Sequence, residues 1–300
     1  MLNQNYLKPG DLLQVISPSG CLRELDAFNK GVEIWRSRGY QVELTPGYDK
    51  EWGYLAGTDE SRCGQLAEAI NNKNIRGILC ARGGYGAARL LENWQWPSIP
   101  TPKWLIGFSD ITALLWTFSK KDFTCVHGPL LTTLSAEPEW SIQRLFDLVE
   151  GRPLEPLKGK GWGGGQAKGY LMPANLTVAT HLLGTKYQPD LTGTILALED
   201  VNEAPYRIDR MLTHWRMAGV FQQVKGIALG RFSQCSPGRM ERTEFTVEEV
   251  LCDRLADLNI PIVSDLPFGH DGSNAALPLG VEANLDGDRG ILEIVSNPVV

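Results

Sequence analysis

The 300-residue chain contains no apolar run long enough to cross a bilayer. It opens without the basic segment and apolar stretch that mark a secretion signal. These absences predict a cytoplasmic protein with no membrane partner. Basic charge is also short. Lysine and arginine number 29 against 35 acidic residues, a net charge of −6, which argues against nucleic acid as a partner. The six cysteines, Cys21, Cys63, Cys80, Cys125, Cys235 and Cys252, form no C-x-x-C pair and no zinc-like spacing with histidine. Scattered single thiols fit a reducing compartment. No internal repeat is visible.

What the chain does have is alternation. At 43% hydrophobic and 21% charged it can bury a core of useful size. Apolar strand-like runs at 12–16, 42–44, 77–81, 104–106 and 123–126 alternate with helical patterns at 24–38, 58–71 and 110–118. Gly39 closes the first helix and Thr58 caps the second. This order predicts an α/β domain with a parallel sheet and helices on both faces. Ligands in such sheets bind beyond the carboxyl ends of the strands. Residues 151–169 include Gly159-Lys160-Gly161-Trp162-Gly163-Gly164-Gly165 and read as a linker between domains 1–150 and 170–300. Beyond it come helices at 175–183 and 205–218, strands at 194–198, 224–229 and 260–263, and a closing hairpin at 281–295. Ile208, Met211, Leu212 and Trp215 share the core face of the second of these helices.

Gly107-Phe108-Ser109-Asp110 joins a strand to a helix. A serine on such a turn can hold its hydroxyl proud of the sheet, beside the free N–H groups of the helix. The usual elbow is G-x-S-x-G, and Ile111 stands where its last glycine would be. Ser-Asp before an apolar run is also an ordinary helix cap. Catalysis would need a base, an acid and an oxyanion hole. Only four histidines exist. His181 and His214 lie in helical patterns and read as partly buried structural residues. His127 ends a strand and could line the same sheet edge or bond a loop. His270 sits in the Leu266-Pro267-Phe268-Gly269-His270-Asp271-Gly272 loop, where function concentrates, although a surface turn reads equally well there. For the acid, Glu199 follows a buried strand run, with Asp200 and Glu203 as competitors; any of them could instead serve the helix start at Pro205. The Cys80-Ala81-Arg82-Gly83-Gly84-Tyr85-Gly86 turn lets backbone N–H groups approach a reacting centre. As a phosphate cradle it lacks the P-loop lysine and the dinucleotide spacing. Cys80 reads as an inert buried thiol.

Together these segments resemble the LD-carboxypeptidase family, serine peptidases that trim murein tetrapeptides and include microcin-immunity relatives. The resemblance rests on Ile16-Ser17-Pro18-Ser19-Gly20, Ala81 to Gly86, Gly107 to Leu114, His127-Gly128-Pro129, Leu198 to Arg210 and Phe268-Gly269-His270. It implies a Rossmann-like N-terminal domain and a smaller mixed α/β C-terminal domain. It implies Ser109 as nucleophile, Glu199 as acid and His270 as base, with the oxyanion hole at the Gly83-Gly84 turn and the Asp110 N–H. It implies no metal or cofactor, a murein peptide substrate and a homodimer. A carboxypeptidase must also pair the substrate's terminal carboxylate, and Arg82 and Arg231 are the candidate forks. One departure is Met172-Pro173-Ala174-Asn175-Leu176, where the family usually has two glycines before Asn-Leu; it points to a reshaped loop. Two other readings remain. One is a hydrolase of peptidyl-nucleotide antibiotics, with Trp162 as a stacking face for the base. The other is a non-catalytic, two-lobed small-molecule binding protein.

Overall fold

In the computed structural model, which describes residues 6–96, 102–121, 123–236 and 245–296, the chain divides into two compact units. One runs to Leu154 and takes back Ala275–Leu279; the other comprises Glu155–Asn274 and Gly280–Ser296.

The first unit alternates β1 (Leu12–Ile16), α1 (Leu25–Ser37), β2 (Gln41–Leu44), α2 (Asp59–Asn71), β3 (Ile75–Cys80), α3 (Ala87–Leu91), β4 (Lys103–Gly107), α4 (Thr112–Phe118) and β5 (Phe123–His127), followed by α5 (Leu131–Leu134) and α6 (Glu139–Val149). Phe28, Val32 and Trp35 recur at helical spacing and bury one face of α1. Trp35 meets Phe146 of α6 with ring centroids 4.7 Å apart. Burying a phenylalanine this way contributes roughly 1.5–3 kcal/mol. The Thr58 hydroxyl accepts from the Ser61 N–H at 3.2 Å and caps α2, as the sequence predicts.

The second unit begins with short β6 (Leu157–Lys158) and β7 (Lys160–Gly161). It continues through β8 (Gln166–Asn175), α7 (Leu176–Leu182), β9 (Thr194–Val201), α8 (Pro205–Met217), β10 (Gly226–Ser233), α9 (Val247–Leu255) and β11 (Ile262–Ser264). β12 (Leu277–Pro278) belongs to the returning segment, and β13 (Glu282–Asp286) with β14 (Ile291–Ile294) forms the closing hairpin.

Each unit is built on its own sheet. The first has the order β12-β5-β4-β3-β1-β2, parallel throughout except for β12 against β5. The order reverses between β3 and β1, and a crevice opens beyond the carboxyl ends of strands at such a switch point. The second sheet is mixed, in the order β6-β14-β13-β8-β9-β10-β11-β7, with β8 to β11 parallel. The α/β class with a parallel N-terminal sheet and a mixed second part therefore holds.

Two sequence readings are corrected. Residues 151–169 are not a free linker: they supply β6, β7 and the start of β8. Their glycines are there because neighbouring backbones come close. A Cβ on Gly159 would lie 2.1 Å from the Ser264 carbonyl oxygen, and one on Gly161 would lie 2.1 Å from that of Gly287. Pro173 and Ala174 lie within β8, not in a loop. There β8 pairs with β9, while its ladder with β13 has ended at Tyr170; proline is tolerated at such an edge. No helix among the described residues is long and apolar enough to cross a membrane.

Candidate functional site

In the first unit, β4 ends at Gly107 and a single 3₁₀ turn, Ser109–Ile111, leads into α4. Ser109 is half-buried, with φ +62°. A non-glycine residue held there costs on the order of 1 kcal/mol, a strain typical of functional turns. Phe108, not Ser109, occupies the cap position, so the ordinary cap reading does not describe this serine. The departure at Ile111 also has a local reason. A Cβ on Gly107 would sit 3.0 Å from Ile111 Cγ2, so the bare first glycine makes room for the isoleucine.

The turn after β3 lies against Ser109. A Cβ on Gly83 would be 3.1 Å from Ser109 Cβ and 3.2 Å from its Oγ. Gly84 takes φ +108°, which glycine adopts without a steric cost. The Gly83 carbonyl accepts from the Gly20 N–H at 3.0 Å, tying this turn to the end of β1. Asp110 completes the tie. Its buried carboxylate accepts from the Ser19 hydroxyl and, at 2.7 Å, from the Ala87 N–H at the start of α3. Burial raises its pKa, against the pull of those two donors and of Arg62. Ser109, Gly83, Gly84 and Asp110 thus cluster at the carboxyl ends of β1, β3 and β4. Phe108 also meets the buried His127 of β5 edge-on, with ring centroids 5.6 Å apart.

In the second unit, Glu199 and His270 come together. His270 Nδ1 lies 2.6 Å from Glu199 Oε2. Glu199 is fully buried in β9, whereas 17% of the His270 side chain is exposed. Gly269, at φ +124°, makes the approach feasible, since a Cβ there would be 3.2 Å from Glu199 Oε2. Its N–H is held by Asn274 Oδ1 at 3.2 Å. Burial opposes a charge on His270, but the Glu199 charge and hydrogen bond, with help from Asp200, outweigh it. The imidazole pKa ends above its ordinary value. This is an imidazole whose tautomer and charge are set by a carboxylate.

A network that sequence reading missed stands behind this pair. Asn175 caps α7, its Oδ1 accepting from the Val178 N–H at 3.1 Å. Its Nδ2 donates to Glu199 Oε1 at 3.2 Å and to Asp200 Oδ1 at 3.1 Å. Asp200 is also held by the Thr177 N–H at 2.9 Å and the Thr177 hydroxyl at 2.8 Å. The only signal for this in the sequence was asparagine ahead of a helical run, a capping cue that says nothing of a second task. Glu203, the other competitor for the acid, pairs instead with Arg207 at 3.4 Å.

His270 borders a cavity of about 670 Å³, which Trp162, Arg231, Asp265, Asp271 and Cys252 also line. The Trp162 indole N–H donates to Ser264 Oγ at 2.9 Å, anchoring the ring on that wall. Neither candidate arginine is an idle cation. Arg231 faces Asp265 at 3.2 Å and Asp271 at 3.3 Å. Arg82, in the first unit, pairs with Glu24 at 3.0 Å. The sequence takes both as available forks; an incoming carboxylate would compete with these partners. His181 and His214 are exposed on α7 and α8, contrary to the partly buried placement their patterns suggested. Cys80 is buried, and burial pushes its thiol pKa up, as befits an unreactive thiol. Among the described residues, no group of three or more His, Cys, Asp or Glu side chains could hold a metal ion.

Comparisons with known proteins show the family and the fold. The family model described as the LD-carboxypeptidase N-terminal domain matches residues 13–128, and the C-terminal domain model matches residues 168–285. The chain is 57% identical to "Putative carboxypeptidase slr1534" of Synechocystis sp., covering 96% of each protein. It is 31% identical to the murein tetrapeptide carboxypeptidase of Pseudomonas aeruginosa, over 92% of this chain and 93% of that protein. The crystal structure of muramoyltetrapeptide carboxypeptidase from Oxalobacter formigenes superimposes with TM-score 0.84 at 27% identity, covering 96% and 99% of the two chains. The microcin C7 self-immunity protein MccF, at 22% identity, shares the fold with TM-score 0.88 over the whole of both chains. With both halves matched and relatives aligned over almost its full length, this protein belongs to the LD-carboxypeptidase family of serine peptidases.

Proposed function

We propose that the chain is a serine carboxypeptidase that cleaves an L-to-D peptide bond and releases the terminal D-alanine of murein tetrapeptides. The observation that carries this reading is the 2.6 Å contact between His270 Nδ1 and Glu199 Oε2. It commits one ring nitrogen to a buried carboxylate, which supports proton transfer at Nε2. In the proposed reaction Ser109 Oγ attacks the carbonyl carbon as His270 Nε2 takes the hydroxyl proton. The Gly84 and Asp110 N–H groups receive the oxyanion. The C–N bond then breaks, His270 returns the proton to the leaving amine, and D-alanine departs from an acyl-Ser109 enzyme. Water, deprotonated by His270, hydrolyses that ester and restores the serine. Of the two arginines, the reading takes Arg231, which lines the His270 cavity, as the one that receives the substrate's carboxylate, in exchange with Asp265 and Asp271. The family resemblance extends this reading to a cytoplasmic homodimer that uses no metal.

The test is mass spectrometry after incubation with murein tetrapeptide. Loss of one D-alanine, abolished in Ser109→Ala, is expected; an intact tetrapeptide at high enzyme concentration would refute the reading. A second reading, hydrolysis of a peptidyl-nucleotide, is favoured by one observation: Trp162 offers an anchored indole on the His270 cavity. A peptidyl-adenylate analogue hydrolysed far faster than tetrapeptide would put it first.

A further inference from the structure

Glu199 does not act on His270 alone. Consecutive residues of a strand normally point to opposite faces, yet Glu199 and Asp200 share one amide. The Asn175 side chain cannot be turned round. Its oxygen is fixed by the Val178 N–H, so its –NH₂ must face the carboxylates, and both hydrogens are committed, one to Glu199 Oε1 and one to Asp200 Oδ1. The ladder between β10 and β9 is irregular here: it shifts by one residue between Leu229 and Phe232, so that Gly230 and Arg231 stand opposite Glu199 and Phe232 pairs with Asp200. Asp200 is 2% exposed and receives four donors: the Asn175 amide, the Thr177 N–H, the Thr177 hydroxyl and the Val201 N–H. All four point at the acceptor-only form, and the Thr177 N–H belongs to the first turn of α7, which favours an anion. No cation is among those four donors. A buried acid so well supplied with donors, and next to a second acid, is a costly arrangement unless a positive charge develops nearby.

We propose that Asp200 is a positioning residue for this site: a second buried carboxylate that, with Glu199, holds the His270 imidazolium and fixes the Glu199 carboxylate through the shared Asn175 amide. Its catalytic consequence rests on the reading of His270 as base; its effect on the His270 proton does not. The ring is contacted from β9 by Glu199, and the charge of the neighbouring Asp200 acts on it. Arg231 of β10 and Lys160 of β7 share its cavity, as do Asp271 in its own loop, Asp265 after β11 and Glu248 of α9. Arg231 is matched by Asp265 and Asp271, and Lys160 also pairs with Asp265 at 2.7 Å. Among the charges around the ring, those of Glu199 and Asp200 are the ones that favour a proton on His270. Burial and the Glu199 charge push the Asp200 carboxyl up to about 6, against its donors, so it loses its own proton just below neutrality.

The experiment is an NMR titration of the His270 ring in the full-length protein without substrate, in wild type, Asp200→Asn and Thr177→Val. Asp200→Asn removes an anion and should lower the proton affinity of His270 roughly three- to tenfold. Thr177→Val removes one donor from Asp200, favours its protonated form and should shift His270 in the same direction by less. His181 and His214, exposed on α7 and α8, serve as internal controls and should not move. The acid limb of kcat/KM should shift to lower pH by the same factor, so Asp200→Asn outlasts wild type as the solution is acidified. A shifted titration with an unshifted acid limb supports the coupling and removes His270 as the base. A His270 affinity within twofold of wild type in folded Asp200→Asn overturns the proposal. If that variant does not fold, an unchanged affinity in Thr177→Val overturns it.

Discussion

Replacing Glu199 by glutamine keeps its volume and removes its charge, and the surroundings dictate how the new amide must lie. The Asn175 –NH₂ donates to Oε1 at 3.2 Å and cannot turn, so the glutamine oxygen is drawn to that side. The new –NH₂ then faces His270 Nδ1, which sits 2.6 Å from Oε2 in the native protein. A donor facing Nδ1 forces that nitrogen to accept and places the ring proton on Nε2. In the proposed reaction that nitrogen takes the serine proton, so the variant would hold the wrong tautomer. The imidazolium also loses its partner, while burial continues to oppose its charge, so the His270 pKa falls. An amide substitution of the orienting acid in this kind of triad lowers kcat about 10⁴-fold, or roughly 5 kcal/mol of transition-state stabilisation. We expect a loss of that order for Glu199→Gln, with no pH at which activity returns. Thermal unfolding should stay close to wild type, since no cavity opens. Single-turnover release of D-alanine measures the loss, and ¹⁵N shifts of the ring report the tautomer. Turnover within tenfold of wild type, with Nε2 still unprotonated, would refute the reasoning.

Gly83→Ala puts a methyl 3.2 Å from Ser109 Oγ. It should cut kcat about 10- to 100-fold while leaving the unfolding midpoint within a degree or two, because the displacement is small and local. Lys103→Met should destabilise the first unit by about 2 kcal/mol, because the buried ammonium donates to the Asn72 and Ile75 carbonyls at 2.7 and 2.8 Å. Burial lowers the Lys103 pKa to about 8. The unfolded chain therefore binds the extra proton between about pH 8 and 10, and the stability gap between wild type and Lys103→Met should widen as pH rises through that window; a flat or narrowing gap in denaturant titrations refutes this. Amidating the C-terminus of a tetrapeptide should depress kcat/KM roughly 10- to 1000-fold, and Arg231→Ala should mirror that loss more closely than Arg82→Ala. Equal cleavage of the amide and the free acid would defeat the exopeptidase reading. Activity should survive excess chelator, and loss reversed by zinc would overturn the serine mechanism.

Where local chemistry and tertiary demand coincide, the sequence was legible. β1 to β5 announced themselves as apolar runs, Thr58 and Gly39 as helix boundaries, and Pro205 as a helix start, because each satisfies its own backbone rules. Ser109, Glu199 and His270 stood out because strand ends and glycine-framed loops are few. What was hidden depended on partners remote in sequence. The glycines at 159 and 161 read as a linker because their purpose is the nearness of Ser264 and Gly287. Asn175 looked like a cap and is one, yet its other end carries two carboxylates. The pairing of Arg82 with Glu24 spans 58 positions, so no window over the sequence could show the arginine engaged. β12 is two residues long and borrows its existence from β5.

That last strand has a consequence for how the polypeptide is made. Leu277 and Pro278 pair antiparallel with His127 and Val126, and Leu279 donates its N–H to Cys125. The partners are thus separated by about half the chain. On a ribosome, β5 emerges long before β12, and at roughly 5–20 residues per second the interval is on the order of ten seconds or more. Throughout that time the outer edge of β5 is an unsatisfied ladder, open to any other extended segment. The entire second unit up to Asn274 must be synthesised before the first sheet is closed. A nascent chain of this protein therefore carries a sheet with one sticky, uncovered edge for about half of its synthesis, which makes β5 the place where a holding chaperone would do the most good.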